Sequence, residues 1–273
     1  MQKNTMASLI LFLTSSLSLP ALEISEIDAS MIAQKIWMNE CNQTIEGLLT
    51  WNQGECFASL GIGHFIWYPI GREDQFVETF RDLVQFFKDH QVQLPQWLNP
   101  KTTCPWHSRE EFEKNKRSGK MLELRNLLTQ TITLQALFMA ERFTKTEPAL
   151  VKGLPKSEAE HVQAQIERLG KTPGGTYALL DYLNFKGAGT SSSERYEEKG
   201  WGLLQVLLRM PGNTDNPVEE FVAAANKVLT DRVDLSPPQR NEARWLPGWL
   251  NRVKTYRVKA PLEPVCQRAS TQP

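Results

Sequence analysis

The sequence predicts a mainly helical protein, mainly α of the α+β kind, with one small β-hairpin near its N-terminus. Most apolar runs after residue 70 repeat with the period of an amphipathic helix. Two short β-compatible runs at residues 47–51 and 56–62 flank an Asn-Gln-Gly turn sequence, which is typical of a hairpin. Because no repeat or low-complexity linker divides the chain, we expect a single domain over residues 22–273.

The predicted helices follow in chain order. Ser25 or Asp28 can cap a first helix over residues 25–37, which we expect to end near Glu40. Ser108 begins a helix with a capping-box pattern, and Asn216 precedes a proline at the first position of another. The other predicted helices are placed at residues 73–90, 121–143, 158–169, 176–185 and 201–210, with a last one opening at residues 237–238.

The overall charge of the chain is balanced. It has 273 residues, of which 31 are basic and 31 acidic, so its formal net charge is zero. A dedicated nucleic-acid-binding protein usually carries a basic excess. We therefore expect no nucleic-acid partner.

Residues 1–21 are predicted to be a signal peptide. Lys3 supplies a positive start, and residues 6–19 form an uncharged apolar stretch that is short for a membrane span. The alternative is a membrane anchor. The signal peptide predicts a periplasmic or secreted protein with no stable membrane insertion after cleavage.

Four cysteines remain after the predicted cleavage: Cys41, Cys56, Cys104 and Cys266. An even number of cysteines in an exported protein suggests disulfides, and three connectivities are possible. Cys41 and Cys56 flank the hairpin, so we favour that pair, which leaves Cys104 for Cys266; the alternative is four free thiols. The spacing does not suit a zinc site, and we expect no metal and no cofactor.

Glu40 is the candidate general acid. It ends an apolar helix near Trp37, Met38 and Leu48. Apolar surroundings and a helix C-terminus both favour the protonated form of a carboxylic acid, which glycoside cleavage requires. The alternative is a solvated residue of the last helical turn.

The order of Glu40, a hairpin and residues 61–64, which read Gly-Ile-Gly-His, resembles the phage-type lysozymes of the lysozyme-like superfamily. That family has a catalytic Glu at the end of its first helix, an Asp in the hairpin, and a Thr two residues before Gly-Ile-Gly-His. Glu40 matches the Glu, and Ser59 matches the Thr with a hydroxyl that can hold a water. Gln53 occupies the position of the Asp and cannot act as a base. Glu55 lies off the family spacing as a second carboxylate, and Glu46 is a further candidate.

The resemblance also implies an architecture. It predicts a small lobe over residues 39–70, a helical lobe over 171–256 and a C-terminal tail over 257–273, with residues 73–170 as a helical insertion. In the family the His is structural and pairs with an acid that ties the lobes together. We accordingly expect His64 to be structural, and Gly61 and Gly63 to serve the backbone geometry of the turn.

Aromatic and polar side chains near the expected cleft are candidates for sugar binding. Aromatic faces stack on sugar rings, which suggests Trp67 and Tyr68 as subsite residues. Tyr182, Asn184 and Gln205 are candidates for hydrogen bonds to acetamido groups. For each of these residues the alternative is packing in the core.

The combined expectation is an exported cell-wall glycosidase that cleaves the glycan strands of peptidoglycan, with Glu40 as the general acid. Hydrolysis and lytic transglycosylation both remain open, because the second catalytic group is not clear. The rival interpretation is a non-catalytic glycan-binding or envelope structural protein with a lysozyme-like fold, since a fold does not determine a function. The sequence lacks the motifs of a phosphate-binding loop and of a serine hydrolase.

Overall fold

The computed structural model describes residues 22, 24–74, 76–192 and 194–258. The predicted signal peptide at residues 1–21, Cys266 and the end of the predicted tail lie outside these ranges. Within them the protein is mainly helical with a small antiparallel sheet, as the sequence predicts. No helix in the described ranges is both long enough and apolar enough to cross a membrane.

Ten α-helices occur in the described ranges. They are α1 (Glu26–Cys41), α2 (Phe80–Asp89), α3 (Arg109–Lys114), α4 (Gly119–Gln130), α5 (Ile132–Val151), α6 (Lys156–Gly170), α7 (Pro173–Lys186), α8 (Leu203–Arg209), α9 (Pro217–Leu235) and α10 (Leu246–Lys254). Three short 3₁₀ helices lie at Glu46–Leu48, Pro238–Arg240 and Glu242–Arg244.

The main sheet has three antiparallel strands in sequential order: β1 (Leu49–Thr50), β2 (Ala58–Leu60) and β3 (Phe65–Trp67). The predicted hairpin is β1–β2, with shorter strands than expected. The third strand was not predicted, because its aromatic residues were interpreted as sugar-binding candidates rather than as a strand after the turn at residues 61–64. A separate two-stranded hairpin joins β4 (Arg195–Tyr196) to β5 (Lys199–Gly200).

Local capping signals account for the ends of several helices. The Ser25 hydroxyl accepts a hydrogen bond from the Asp28 amide, so the predicted cap of α1 is confirmed. Asn42 follows α1 in the left-handed conformation, and its amide donates to the Met38 carbonyl, which ends the helix one residue after Glu40. At α9 the Asn216 side chain accepts from the Glu219 amide, also as predicted.

The start of α2 differs from the prediction. The amphipathic pattern predicts a helix from residue 73, whereas α2 begins at Phe80. The preceding segment binds the edge of β3: the Tyr68 amide donates to Glu78 Oε1 (2.9 Å) and the Ile66 amide donates to Thr79 Oγ1 (3.1 Å). These tertiary hydrogen bonds hold the segment against the sheet and override its helical pattern.

The long helix predicted over residues 121–143 is two helices, α4 and α5, divided at Thr131. Thr131 has a non-helical backbone (φ −113°), and its hydroxyl donates to the Leu127 carbonyl. Gln135 Nε2 donates a hydrogen bond to the Leu128 carbonyl (2.8 Å). This carbonyl therefore keeps a partner although the helix is interrupted. Gln135 Oε1 in turn accepts from the Ile62 amide (2.8 Å) and attaches α5 to the turn after β2.

Helix α5 lies at the centre of the fold. It contacts α1, α2, α6 and α7, and its Phe138 ring packs against Phe65 of β3 and Phe86 of α2. Residues 73–170 were expected to be an insertion. They contribute a large share of the core that supports the N-terminal sheet.

The three described cysteines are free thiols, so the favoured Cys41–Cys56 disulfide is absent. Cys41 is buried at the end of α1, where its Sγ faces the Gly61 carbonyl (3.9 Å). Cys56 lies near the start of β2, and its Sγ faces Asp74 (4.0 Å). Flanking the same hairpin therefore does not bring the two sulfurs together. The expected Cys104–Cys266 pair involves a residue outside the described ranges.

Candidate functional site

Glu40 lies on the last turn of α1, and its carboxylate is bound from two directions. Its Oε1 is 2.6 Å from Arg252 Nη2 of α10, and its Oε2 is 3.5 Å from His64 Nδ1 in the turn between β2 and β3. The Glu40 side chain retains 15% exposure. The structure thus places Glu40 where three segments meet, at the edge of solvent.

Arg252 connects Glu40 to a buried acid on α7. Its Nε and Nη2 each donate to a different oxygen of Asp181 at 2.9 Å, and the Tyr256 hydroxyl also donates to Asp181 (2.7 Å). Asp181 is fully buried, and burial together with the charge of Asp181 raises the pKa of Tyr256 well above its usual value. Burial alone would lower the pKa of Arg252. The carboxylates of Asp181 and Glu40 outweigh this effect, so the Arg252 pKa lies well above its usual value.

His64 is held by contacts on both ring nitrogens. Its Nδ1 faces Glu40, and its Nε2 lies 3.7 Å from Cys41 Sγ. Asn184 of α7 donates to the neighbouring Gly63 carbonyl (3.2 Å), which joins the turn to the helical part of the protein. These contacts fit a structural role for His64. Its acidic partner is Glu40 itself.

The thiol of Cys41 completes a Cys–His–Glu sequence of contacts, but it is poorly suited to act as a nucleophile. Burial, aided by the charge of Glu40, raises the pKa of Cys41 to about 12. A thiol with so high a pKa is scarcely ionised at neutral pH, and the thiolate is the reactive form.

The turn that carries His64 depends on its glycines. Gly61 has φ +70°, and an added Cβ would overlap the side-chain oxygen of Gln135. A Cβ on Gly63 would lie 2.6 Å from the Phe65 ring. Both observations agree with the expected backbone role of these two residues.

The candidates for a second catalytic group make their contacts with residues other than Glu40. Glu55 is half-buried and accepts a hydrogen bond from Asn52 (3.1 Å), and Glu46 is exposed on a 3₁₀ helix. Ser59 pairs with Thr50 and Ile66 across the sheet and is 3% exposed. No hydrogen bond or ion pair in the described ranges joins any of these three candidates to Glu40.

The structure corrects most of the predicted sugar-binding residues. Trp67 is fully buried against Phe80 and donates to the Thr102 carbonyl, and Tyr182 is fully buried and donates to the Trp201 carbonyl. Both are core residues. A side chain without exposed surface cannot stack on a sugar, so neither residue binds one.

The side chains of the other three candidates form hydrogen bonds within the protein. Tyr68 is 5% exposed and donates to the Phe76 carbonyl. Asn184 is half-buried and holds Gly63. Gln205 binds the Gly202 amide and the Gly189 carbonyl at the start of α8, so it organises the loop after α7.

A second group of charges lies beside the Glu40–Arg252 pair. Arg232 of α9 binds Glu242 through two hydrogen bonds, and Tyr196 donates to the same carboxylate. Lys186, at the end of α7, has its Nζ 3.4 Å from the centre of the Trp249 ring, with no carboxylate within ion-pair distance among the described residues. Burial, and then the nearby charge of Arg232, lowers the pKa of Lys186 to about 6.

Sequence reasoning missed Arg252 and Asp181 as partners of Glu40. Asp181 carried a usable signal, because it is the one acid in the apolar run of residues 177–183. Such a residue, if buried, needs a cationic or hydrogen-bonding partner. Nothing in the spacing indicated that this partner is Arg252.

The described residues contain no group of three or more side chains suited to holding a metal ion. No protein-family profile, no curated protein and no solved structure matches this chain.

Proposed function

We propose that this protein is an exported, lysozyme-like enzyme that cleaves the glycan strands of peptidoglycan, with Glu40 as the general acid. The observation that carries the proposal is the position of Glu40. Glu40 lies in the last turn of α1. Its carboxylate contacts the turn at residues 61–64 and keeps part of its surface in solvent. A general acid needs such a place, where it is oriented by the protein and still reaches a ligand.

The ion pair with Arg252 sets a requirement for this mechanism. An acid that donates a proton must be able to leave a cation that holds it, and Glu40 is held by Arg252. Asp181 makes this release possible, because it binds Arg252 through two hydrogen bonds and remains its partner. We propose that a bound strand takes the place of Arg252 at Glu40 and leaves Arg252 with Asp181.

In the reaction, Glu40 donates its proton to the glycosidic oxygen, and the bond from that oxygen to the anomeric carbon breaks. In hydrolysis, a water then adds to the anomeric carbon and gives up one proton, which restores the acid form of Glu40; Ser59 is the proposed residue that holds this water. In lytic transglycosylation, a hydroxyl of the same sugar adds instead, passes its proton to the Glu40 carboxylate and yields an anhydro product.

The test uses purified sacculi as the substrate. The wild-type protein, Glu40→Gln and the control Glu26→Gln are incubated with sacculi, and released muropeptides are separated and identified by mass. Glu26 is an exposed acid at the opposite end of α1, so this control makes the same chemical change away from the site. Anhydro products indicate transglycosylation, and reducing ends indicate hydrolysis.

The non-catalytic alternative is favoured by one observation, the 2.6 Å contact between Glu40 and Arg252. That contact gives Glu40 a structural role in the Asp181 network. The alternative predicts that the wild-type protein binds sacculi and releases nothing from them.

A further inference from the structure

Trp245, the residue that precedes α10, and Trp249 on α10 lie on the same face as Arg252. Trp245, Trp249 and Arg252 follow one another at spacings of four and three residues, which places them along one side of a helix. The two indole rings lie 6.2 Å apart with 30° between their planes. Since Arg252 binds Glu40, this face of α10 leads directly from the candidate catalytic residue.

The space between Arg252 and the tryptophans is bridged by the end of α7. The Phe185 ring lies 4.2 Å from the Arg252 guanidinium carbon, and Lys186 Nζ lies between the Phe185 ring (4.0 Å) and the Trp249 ring (3.4 Å). Aromatic rings and cations therefore form a continuous row from Glu40 to Trp245. We call Phe185, Lys186, Trp249 and Trp245 the aromatic row.

The aromatic row becomes more exposed with distance from Glu40. Phe185 and Trp249 are half-buried, whereas Trp245 is 42% exposed. Gly248, on the same helix, has open space around the position of an added Cβ. Trp245 is paired with the exposed Arg244, whose guanidinium lies 4.3 Å from the ring. A ring face beside an exposed guanidinium suits a ligand that combines a sugar ring with a carboxylate.

Lys186 adds an amine that has no acidic partner within ion-pair distance among the described residues, and it lies near Arg232 and Arg252. Burial and these two guanidinium groups lower the pKa of Lys186 to about 6, so the amine is largely neutral at pH 7. A half-buried amine beside two arginines costs stability in its charged form, and such costs recur at binding sites. A carboxylate on a ligand would favour the charged form and pair with it.

We infer that the aromatic row binds the glycan strand next to the bond cut at Glu40, with its rings stacking on sugars and with Lys186 and the neighbouring Arg244 meeting carboxylates of the strand. This inference rests on the function proposed above and assigns that function a substrate-binding surface. It replaces Trp67 and Tyr182, which lie in the core, with residues that have exposed surface.

The experiment measures binding separately from cleavage. Glu40→Gln protein is mixed with insoluble sacculi and pelleted, and the same protein carrying Trp245→Ala, Arg244→Gln or Leu122→Ala is compared with it. Leu122 is an exposed apolar residue on α4, 46% exposed, and serves as the matched control. Thermal unfolding, monitored by circular dichroism, checks that each variant is folded.

We expect Trp245→Ala to weaken binding by about threefold to tenfold, the range for losing one aromatic contact. Arg244→Gln should weaken binding at low salt and have less effect at high salt. Leu122→Ala should bind as its parent does. Trp245→Ala protein that binds like the Leu122→Ala protein would overturn the inference, and so would a parent protein that does not bind sacculi.

Two further outcomes separate this inference from the proposed function. If wild-type protein releases no muropeptides but Trp245→Ala still weakens binding, the aromatic row stands as a glycan-binding surface and the catalytic proposal fails. If release depends on Glu40 but Trp245→Ala binds normally, the aromatic row alone is refuted. Trp245-dependent binding to vesicles of anionic phospholipid in place of sacculi would also refute it, in favour of a membrane surface.

Discussion

Arg252 Nη2 lies 2.6 Å from Glu40 Oε1, although the two residues are 212 positions apart in the chain. The same guanidinium holds Asp181 through two hydrogen bonds. The end of the first helix is therefore joined to the seventh and tenth helices by one side chain, and the geometry at Glu40 depends on Arg252.

Removing the buried partner of Arg252 should be costly. Asp181→Asn leaves the Arg252 charge half-compensated in a buried position, and we expect a loss of about 3–5 kcal/mol in the free energy of unfolding. Urea unfolding followed by circular dichroism measures this change. The control is Arg257→Met, which removes an exposed ion pair with Glu219 and should cost no more than about 1 kcal/mol. Equal effects of the two substitutions would show that the Arg252 network does not stabilise the fold.

Lys186 predicts a specific dependence of stability on pH. Its folded pKa is lowered to about 6, so between about pH 6 and the unfolded value of 10.5 the unfolded chain binds more protons than the folded one. Stability from this group must therefore rise with pH in that window, by at most about 1.4 kcal/mol per pH unit.

Lys186→Met should abolish this rise and make the protein more stable at neutral pH. Urea unfolding at several pH values tests the expectation, and Lys145→Met, at an exposed position on α5, is the control. A Lys186→Met protein with the pH profile of the wild type would show that the amine titrates normally.

The turn at Gly61 should tolerate no side chain. Gly61→Ala combines a left-handed backbone with overlap against Gln135, and we expect a loss of about 1–3 kcal/mol. Gly153→Ala is a matched control, because Gly153 has a similar φ of +82° with open space around it. The difference between the two free energies of unfolding isolates the overlap. If Gly153→Ala costs as much as Gly61→Ala, backbone strain explains the whole effect.

The cysteines should differ in reactivity. Cys41 and Cys104 are buried, and burial raises the pKa of each to about 12, whereas Cys56 is half-buried. Iodoacetamide at pH 8 should label Cys56 in the folded protein, and Cys41 and Cys104 only after unfolding. Mass spectrometry of the digested protein identifies which cysteines carry the label. A Cys41–Cys56 disulfide, the pairing favoured by the sequence, would protect both residues even in the unfolded, unreduced protein.

Features that depend on a few neighbouring residues could be predicted from the sequence. The caps at Ser25 and Asn216 involve amides three residues away, and both are present. The break at Thr131 and the late start of α2 depend on partners in other elements, and the local pattern did not reveal them.

In the candidate site too, contacts between residues near in the chain could be predicted and contacts between distant residues could not. Glu40 and the Gly61–His64 turn lie close together in the chain, and the sequence indicated both. Arg252 and Asp181 are distant, so their contacts with the site could not be read from spacing. Trp67 was assigned to sugar binding because its ring suits that purpose, but burial depends on the whole fold and places it in the core.

The release of muropeptides from sacculi by Glu40→Gln protein, compared with wild type and Glu26→Gln, tests the central claim most directly. Loss of a general acid should lower the rate by about 10²- to 10⁴-fold, while Glu26→Gln should match the wild type. Equal rates of release by Glu40→Gln and wild type would contradict the assignment of Glu40 as the catalytic acid.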